Sequence, residues 1–193
     1  MLSRVSRSRQ RSECRDILRS MVLNSLLDKA AMRLVTELRS RRMQAVFAES
    51  CTGGLVASTL ARIPGVSDCF CGSLVSYSNE AKVIWLGVMQ QSLRTESSVS
   101  EQVAGEMAIG ALDRTPAADI AVAVTGYLGP SAPHAMDGLV MVATLLRVGM
   151  SPLPRVEKIH LQSSARIERQ SEAALGVLQI ARKSVCGSSS KVN

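Results

Sequence analysis

The sequence predicts an α/β fold: a three-layer α/β/α sandwich around a mixed five-stranded sheet whose fourth strand runs antiparallel. Three observations predict it. Short apolar runs alternate with segments whose apolar residues recur at helical spacing, as in strand–helix–strand units. One run, Ile120-Ala121-Val122-Ala123-Val124, is apolar throughout, as a strand covered on both faces must be. Connection lengths set direction. Strands one to two and two to three are joined through helices and can run parallel, whereas three to four and four to five are joined by loops without room for one.

The elements follow in order. Residues 20–42 carry one apolar stripe (Val22, Leu26, Leu27, Ala30, Ala31, Leu34, Val35, Leu38) and predict the first helix. Residues 43–48 form the first strand, and 54–63 a short helix stopped by Pro64-Gly65. Residues 68–77 form the second strand and 79–86 a helix closed by Gly87, followed by a polar connection over 90–99. Ser98-x-x-Glu101 reads as a capping box for a helix over 100–114, with Val103, Ala104, Met107, Ala108, Ala111 and Leu112 inward. Strands three, four and five fall at 119–125, 138–147 and 155–162. The last helix spans 164–183, with Ile167, Ala174, Leu175, Leu178 and Ala181 as its inner face.

Bulk properties narrow the function. The 193 residues suit one domain, and the net charge of +7 is confined to its start. Residues 1–42 hold 11 Lys/Arg against 4 Asp/Glu, and residues 43–193 hold 12 of each. Residues 1–20 are therefore expected to be a basic, flexible and dispensable leader, 21–184 a single domain, and 185–193 a tail. With a neutral core, no nucleic-acid partner is expected. No apolar run is long enough to span a bilayer and no signal-peptide pattern occurs, so a cytoplasmic location is expected. The five cysteines (Cys14, Cys51, Cys69, Cys71, Cys186) are odd in number, which argues against a disulfide framework. Cys69 and Cys71 are expected on one strand face as small buried hydrophobes. With only His134 and His160 present, no metal site is expected, and no cofactor.

Parallel strands end along one sheet edge, where ligands of open α/β sheets bind. Three stretches leave strands there: Glu49-Ser50-Cys51-Thr52-Gly53-Gly54, Tyr77-Ser78-Asn79-Glu80-Ala81-Lys82 and Thr125-Gly126-Tyr127-Leu128-Gly129-Pro130. A strand–turn–helix unit at the first would lift Ser50 and Thr52 out of the sheet. It would let a ligand approach Gly53 and Gly54, and aim free N–H groups at an anion. On these residues alone, Ser50 or Thr52 could equally be a helix cap. Ser50 and Lys82 form the notable pair: a serine needs a base, and a desolvated lysine can serve as one. A plain surface lysine is the alternative. Tyr77 could hydrogen-bond the same centre, and Cys51 is the rival nucleophile.

These three motifs resemble the CinA C-terminal domain family (competence/damage-inducible protein C-terminal domain), over about residues 22–181. The family's enzymatic members are nicotinamide-nucleotide amidohydrolases. The resemblance implies one domain, without the molybdopterin-binding-like domain of longer relatives. It implies hydrolysis of the carboxamide of nicotinamide mononucleotide to nicotinate mononucleotide and ammonia, a step of pyridine nucleotide recycling. Position by position, it makes Ser50 the nucleophile, Lys82 the general base and Tyr77 their assistant, without metal. Thr52, Gly53, Gly54, Asn79, Thr125 and Gly126 are the expected substrate-binding residues, with oxyanion donors near 52–54. Arg166 and Arg169, at the start of the last helix, are the candidates for a phosphate. The small-molecule nucleotide is the expected partner, and a homo-oligomer the expected state. The chain departs from the family pattern at Tyr127-Leu128 and Ser131-Ala132-Pro133; if that loop shapes the nucleotide pocket, a Tyr there could narrow it or stack in it. The alternative reading is a non-catalytic pyridine-nucleotide-binding or competence-associated interaction module.

Overall fold

The computed structural model describes residues 2–130, 132–147 and 153–187. Strands β1 (Ala45–Glu49), β2 (Phe70–Val75), β3 (Ile120–Gly126), β4 (Leu139–Leu146) and β5 (Arg155–His160) form one sheet in the order β2-β1-β3-β4-β5. β1 pairs parallel with β2 and β3, while β4 runs antiparallel to both β3 and β5. The sequence-based topology, with its reversed fourth strand, is therefore the observed one.

Among the described residues, six α-helices flank the sheet: α1 (Leu2–Ser40), α2 (Leu55–Ala61), α3 (Asn79–Leu86), α4 (Gln90–Thr95), α5 (Glu101–Asp113) and α6 (Arg166–Gly187). The strand period of two sorts the side chains between layers. Ala45 and Phe47 pack with Leu27, Leu34, Val56 and Leu178, on the side of α1, α2 and α6. Val46 and Ala48 pack with Leu86, Ala104, Met107 and Ala108, on the side of α3 and α5. β3 divides likewise: Ile120, Val122 and Val124 face the first layer and Ala121 and Ala123 the second. On the α5 side the central strands present Ala48, Ala121 and Ala123, small residues that let α5 lie close to them.

Several boundaries differ from the sequence reading, each for a physical reason. α1 begins at Leu2 rather than near residue 20, in a stretch without Pro or Gly before residue 41. The side chains of residues 1–17, Cys14 among them, lie outside the described residues. Val22 and Leu26 are exposed, because the stripe that packs is Leu27, Ala30, Ala31, Leu34, Val35 and Leu38. The polar connection after α3 contains α4, which has no apolar period to betray it. The N-cap of α5 is Ser100, accepting from the Val103 N–H at 3.2 Å, and not Ser98. α6 runs on to Gly187 with Val185 fully buried, so the expected tail at 185 starts inside the helix; Ile167 is exposed. Residues 188–193 lie outside the described residues. Cys69 is buried but Cys71 is exposed, because the β1–β2 register shifts between Ala45 and Val46 and takes Cys71 out of the alternation.

The tightest approach in the α3–α5 layer is at Gly110, where a Cβ would lie 1.7 Å from the Leu86 carbonyl oxygen. Alanine in a helix is normally worth about 1 kcal/mol over glycine. Here the clash with fixed backbone outweighs that gain. Gly110→Ala is expected to lose about 2–3 kcal/mol, read as a lower thermal midpoint.

Candidate active site

The register places the three strand ends level. Glu49 lies opposite Val75 of β2 and Val124 of β3, and the loops beyond converge. The ladder continues one residue further, with the Ser50 N–H donating to Val124 O at 3.0 Å. Strand alternation therefore still holds at Glu49 and Ser50, and sends them to opposite layers. Glu49 turns toward α2, and Ser50 toward α3.

Glu49 is fully buried and its carboxylate is saturated. Oε2 accepts from Thr52 Oγ1 at 2.8 Å, Gly54 N at 3.0 Å and Val56 N at 3.1 Å. Oε1 accepts from Ala57 N at 2.9 Å and Ser73 Oγ at 3.0 Å. The orphan N–H groups that open a helix are thus taken by an internal anion. Thr52 and Gly54, expected among the substrate-binding residues, thus have partners within the protein. Thr52 is buried against Glu49, and the Gly53 N–H donates to Ser50 O at 3.0 Å. Gly53, at φ 59°, makes room for α6: Gln170 Nε2 donates to Thr52 O at 2.8 Å, and a Cβ on Gly53 would lie 3.2 Å from that nitrogen.

Ser50 points the other way, into a cavity of about 260 Å³. Lys82, on the second turn of α3, enters from the opposite wall, with Nζ 2.8 Å from Ser50 Oγ. Ser78 caps α3 by accepting from the Ala81 N–H, and Gly87 ends it. Both Ser50 and Lys82 are buried, with Lys82 only 2% exposed. Burial pushes the Lys82 amine below the ordinary 10.5, because the charged form loses its hydration. Cys51 lines the same cavity, but burial pushes its thiol up to about 12. It is therefore a thiol and not a thiolate at neutral pH, and a poor nucleophile.

The rim is polar. Tyr77, Asn79, Ser98, Thr125, Gly126, Tyr127 and Arg166 line the cavity. Tyr77 is exposed, and its hydroxyl is held by Arg166 Nη2 at 2.8 Å rather than by Ser50 or Lys82. Arg166 also donates to the Gly129 carbonyl. Thr125 Oγ1 donates to Ser98 O at 2.8 Å, and Tyr127 Oη lies 2.9 Å from Ser97 Oγ, which pins the departing loop. Arg169 stands outside the lining. Asp137 holds its guanidinium with two bonds of 2.7 and 2.8 Å, and its Nε donates to Ser163 O, so no free fork remains for a phosphate. Gly129 is packed on that pair, where a Cβ would lie 2.8 Å from Arg169 Nη1. The sequence reading did not assign Ser98 to the site. Its signal was the serine cluster before α5, which was read as a cap.

Residues 27–185 match the CinA C-terminal domain. The chain belongs to that family. A CinA-like protein of Chloroherpeton thalassium is 40% identical over 146 residues, 74% of this chain and 34% of that protein. The chain thus spans about a third of the length of that curated relative. Among solved structures, the competence/damage inducible protein CihA from Agrobacterium tumefaciens is similar with a TM-score of 0.74 and 36% identity, covering 82% of this chain and 96% of that one. The competence damage-inducible protein A of Klebsiella pneumoniae gives a TM-score of 0.78 at 26% identity, covering 84% and 99%. Among the described residues no helix is long and apolar enough to cross a membrane. In this CinA C-terminal domain the buried Ser50–Lys82 pair and the Glu49 cluster share one strand end.

Glu49→Gln tests that link. The amide would turn an NH₂ toward donors that now meet an anion. The expected cost is about 3 kcal/mol, or roughly 6–12 °C in thermal midpoint for a chain of this size, read by thermal unfolding.

Proposed function

We propose that the protein hydrolyses the carboxamide of nicotinamide mononucleotide, giving nicotinate mononucleotide and ammonia in pyridine nucleotide recycling in the cytoplasm. The observation that carries this reading is the Ser50–Lys82 contact, 2.8 Å long and buried, in the lining of a cavity of about 260 Å³. The family resemblance of the three strand-end motifs supplies the substrate.

Ser50 Oγ attacks the carboxamide carbon while neutral Lys82 takes the hydroxyl proton. The carbonyl oxygen becomes an oxyanion, and Asn79, whose side chain lines the cavity, offers it a donor. Collapse breaks the C–N bond, and Lys82 returns the proton to the leaving nitrogen, which departs as ammonia. Water then gives a proton to Lys82 and adds to the acyl-enzyme. Collapse releases the carboxylate, and Ser50 recovers its proton from Lys82. Arg166, at the rim, meets the phosphate of the nucleotide. Tyr77 acts through Arg166, whose guanidinium its hydroxyl holds, and not by touching the Ser50–Lys82 pair.

The deciding experiment is ammonia release from nicotinamide mononucleotide by the wild type and by Ser50→Ala. Turnover by the wild type, lost in Ser50→Ala with binding retained, is the expected result. No turnover by a chain that still binds the nucleotide would leave the non-catalytic binding module. Cys51→Ala is expected to keep activity within about tenfold, given its protonated, buried thiol.

The pH dependence follows from Lys82. The active form is the neutral amine, so the rate should rise with pH through a pKa below 10.5 and then level off. Lys82→Arg should lose about 10²–10⁴-fold in kcat, because arginine keeps its proton. Stability carries the same sign. The folded state binds this proton less tightly than the unfolded chain, so the cost of burying Lys82 is full below its folded pKa. It lifts as pH rises toward 10.5. Lys82→Met is therefore expected to be inactive yet to melt no lower than the wild type at neutral pH.

A further inference from the structure

Arg19 lies before the residues that match the family, within the stretch whose charge suggested a free leader. Its side chain is not free. Nη2 donates to Ser163 Oγ at 3.1 Å, and Nε lies 3.4 Å from Oε2 of Glu168. Glu168, in the first turn of α6, is only 7% exposed, and Arg19 is its ion-pair partner among the described residues. Ser163 is also buried and joins three neighbours. Its hydroxyl accepts from Arg19, its N–H donates to Glu172 at 3.0 Å, and its carbonyl accepts from Arg169 at 2.7 Å. Glu172 takes a second N–H, from Gln162 at 2.8 Å. Burial would raise the Glu172 carboxyl. These N–H groups, the Ser163 hydroxyl and the charge of Arg19 together hold it below the usual carboxylate range.

The same turn carries the rim of the cavity. Arg166 stands two residues from Glu168 and reaches Tyr77 Oη and the Gly129 carbonyl. Arg169 joins Ser163 to Asp137, against which Gly129 is packed. The chain of contacts therefore runs from α1, through Ser163 and Glu168, to both guanidinium groups that brace the loop at 127–137. We propose that Arg19 is a positioning residue for this rim. It fixes the first turn of α6, and so the placement of Arg166 toward the anionic part of the substrate. The proposal rests on the amidohydrolase reading for its substrate. It makes the end of the leader part of the site, against the expectation that residues 1–20 are dispensable.

A residue that places a rim arginine acts on binding, and leaves the Ser50–Lys82 pair alone. Arg19→Ala should raise KM for nicotinamide mononucleotide about threefold to tenfold with kcat within about twofold. Arg19→Lys, which can keep one of the two contacts, should fall between. Glu168→Gln should raise KM as well, and the double variant should be no worse than the poorer single one, since both break one path. Thermal midpoints separate this from general loosening: the KM change should appear in variants that melt within a few degrees of the wild type. An unchanged KM, or a loss of kcat at constant KM, overturns the proposal. Amide hydrogen exchange tests the geometry without turnover. Residues 163–170 should exchange faster in Arg19→Ala than in the wild type, and equal exchange there overturns the proposal. A wild-type chain that releases no ammonia but shows this exchange difference defeats the amidohydrolase reading and leaves the positioning role standing.

Discussion

The carboxylate of Glu49 is the interaction on which the rest of the site depends. Five donors from three parts of the chain meet it: the turn after β1, the first turn of α2, and Ser73 of β2. A buried carboxylate without such partners would cost several kcal/mol, so the arrangement is all or nothing. Once it forms, α2 is locked to the sheet, and the last residues of β1 are locked in phase. Because a strand alternates, a Glu held on the α2 side obliges the next residue, Ser50, to face the α3 side. The position of the Ser50 hydroxyl is in this sense a consequence of a structural carboxylate.

That arrangement also removes a common ligand site. Strand–turn–helix units often offer the helix start to a phosphate. Here the anion is already present in the protein, and the positive end of α2 is spent on it. Any phosphate must therefore be met elsewhere. The cations that line the cavity among the described residues are Lys82 and Arg166. Lys82 is buried with depressed proton affinity, which leaves Arg166 as the permanent charge. On the proposed reading, Lys82 serves the chemistry and Arg166 the anchoring within one cavity.

Much of this was legible in the sequence because it depends on local pattern. The uniform apolar run at Ile120–Val124 required two covering layers, and the short connection after β3 required β4 to reverse. Lys82 and Ser50 could be paired because parallel strands with helical crossovers end on one edge. What escaped was decided by three-dimensional partners. Thr52 and Gly54 look like ligand-binding groups until Glu49 is seen to use them. Arg166 and Arg169 look equivalent, and only the position of Asp137 separates them. Cys69 and Cys71 look like one face, and a register shift of one residue parts them. Arg19 looks like leader charge, because nothing in its neighbourhood along the chain indicates a buried Glu168 far from it in sequence.

On the proposed mechanism, lysine as the base constrains the architecture more than histidine would. An imidazole is half neutral at about pH 6.5 in water, whereas a hydrated amine, with a pKa of about 10.4, is almost wholly protonated at neutral pH. Burial is what lowers the Lys82 amine from its ordinary 10.5 here. The amine must therefore be shielded from water, as Lys82 is, at 2% exposed and with Ser50 Oγ 2.8 Å away. The same dehydration raises the adjacent Cys51 thiol to about 12 and so silences the better intrinsic nucleophile. One property, burial, thus favours the proposed chemistry twice: it lowers the proton affinity of Lys82 and keeps the Cys51 thiol protonated.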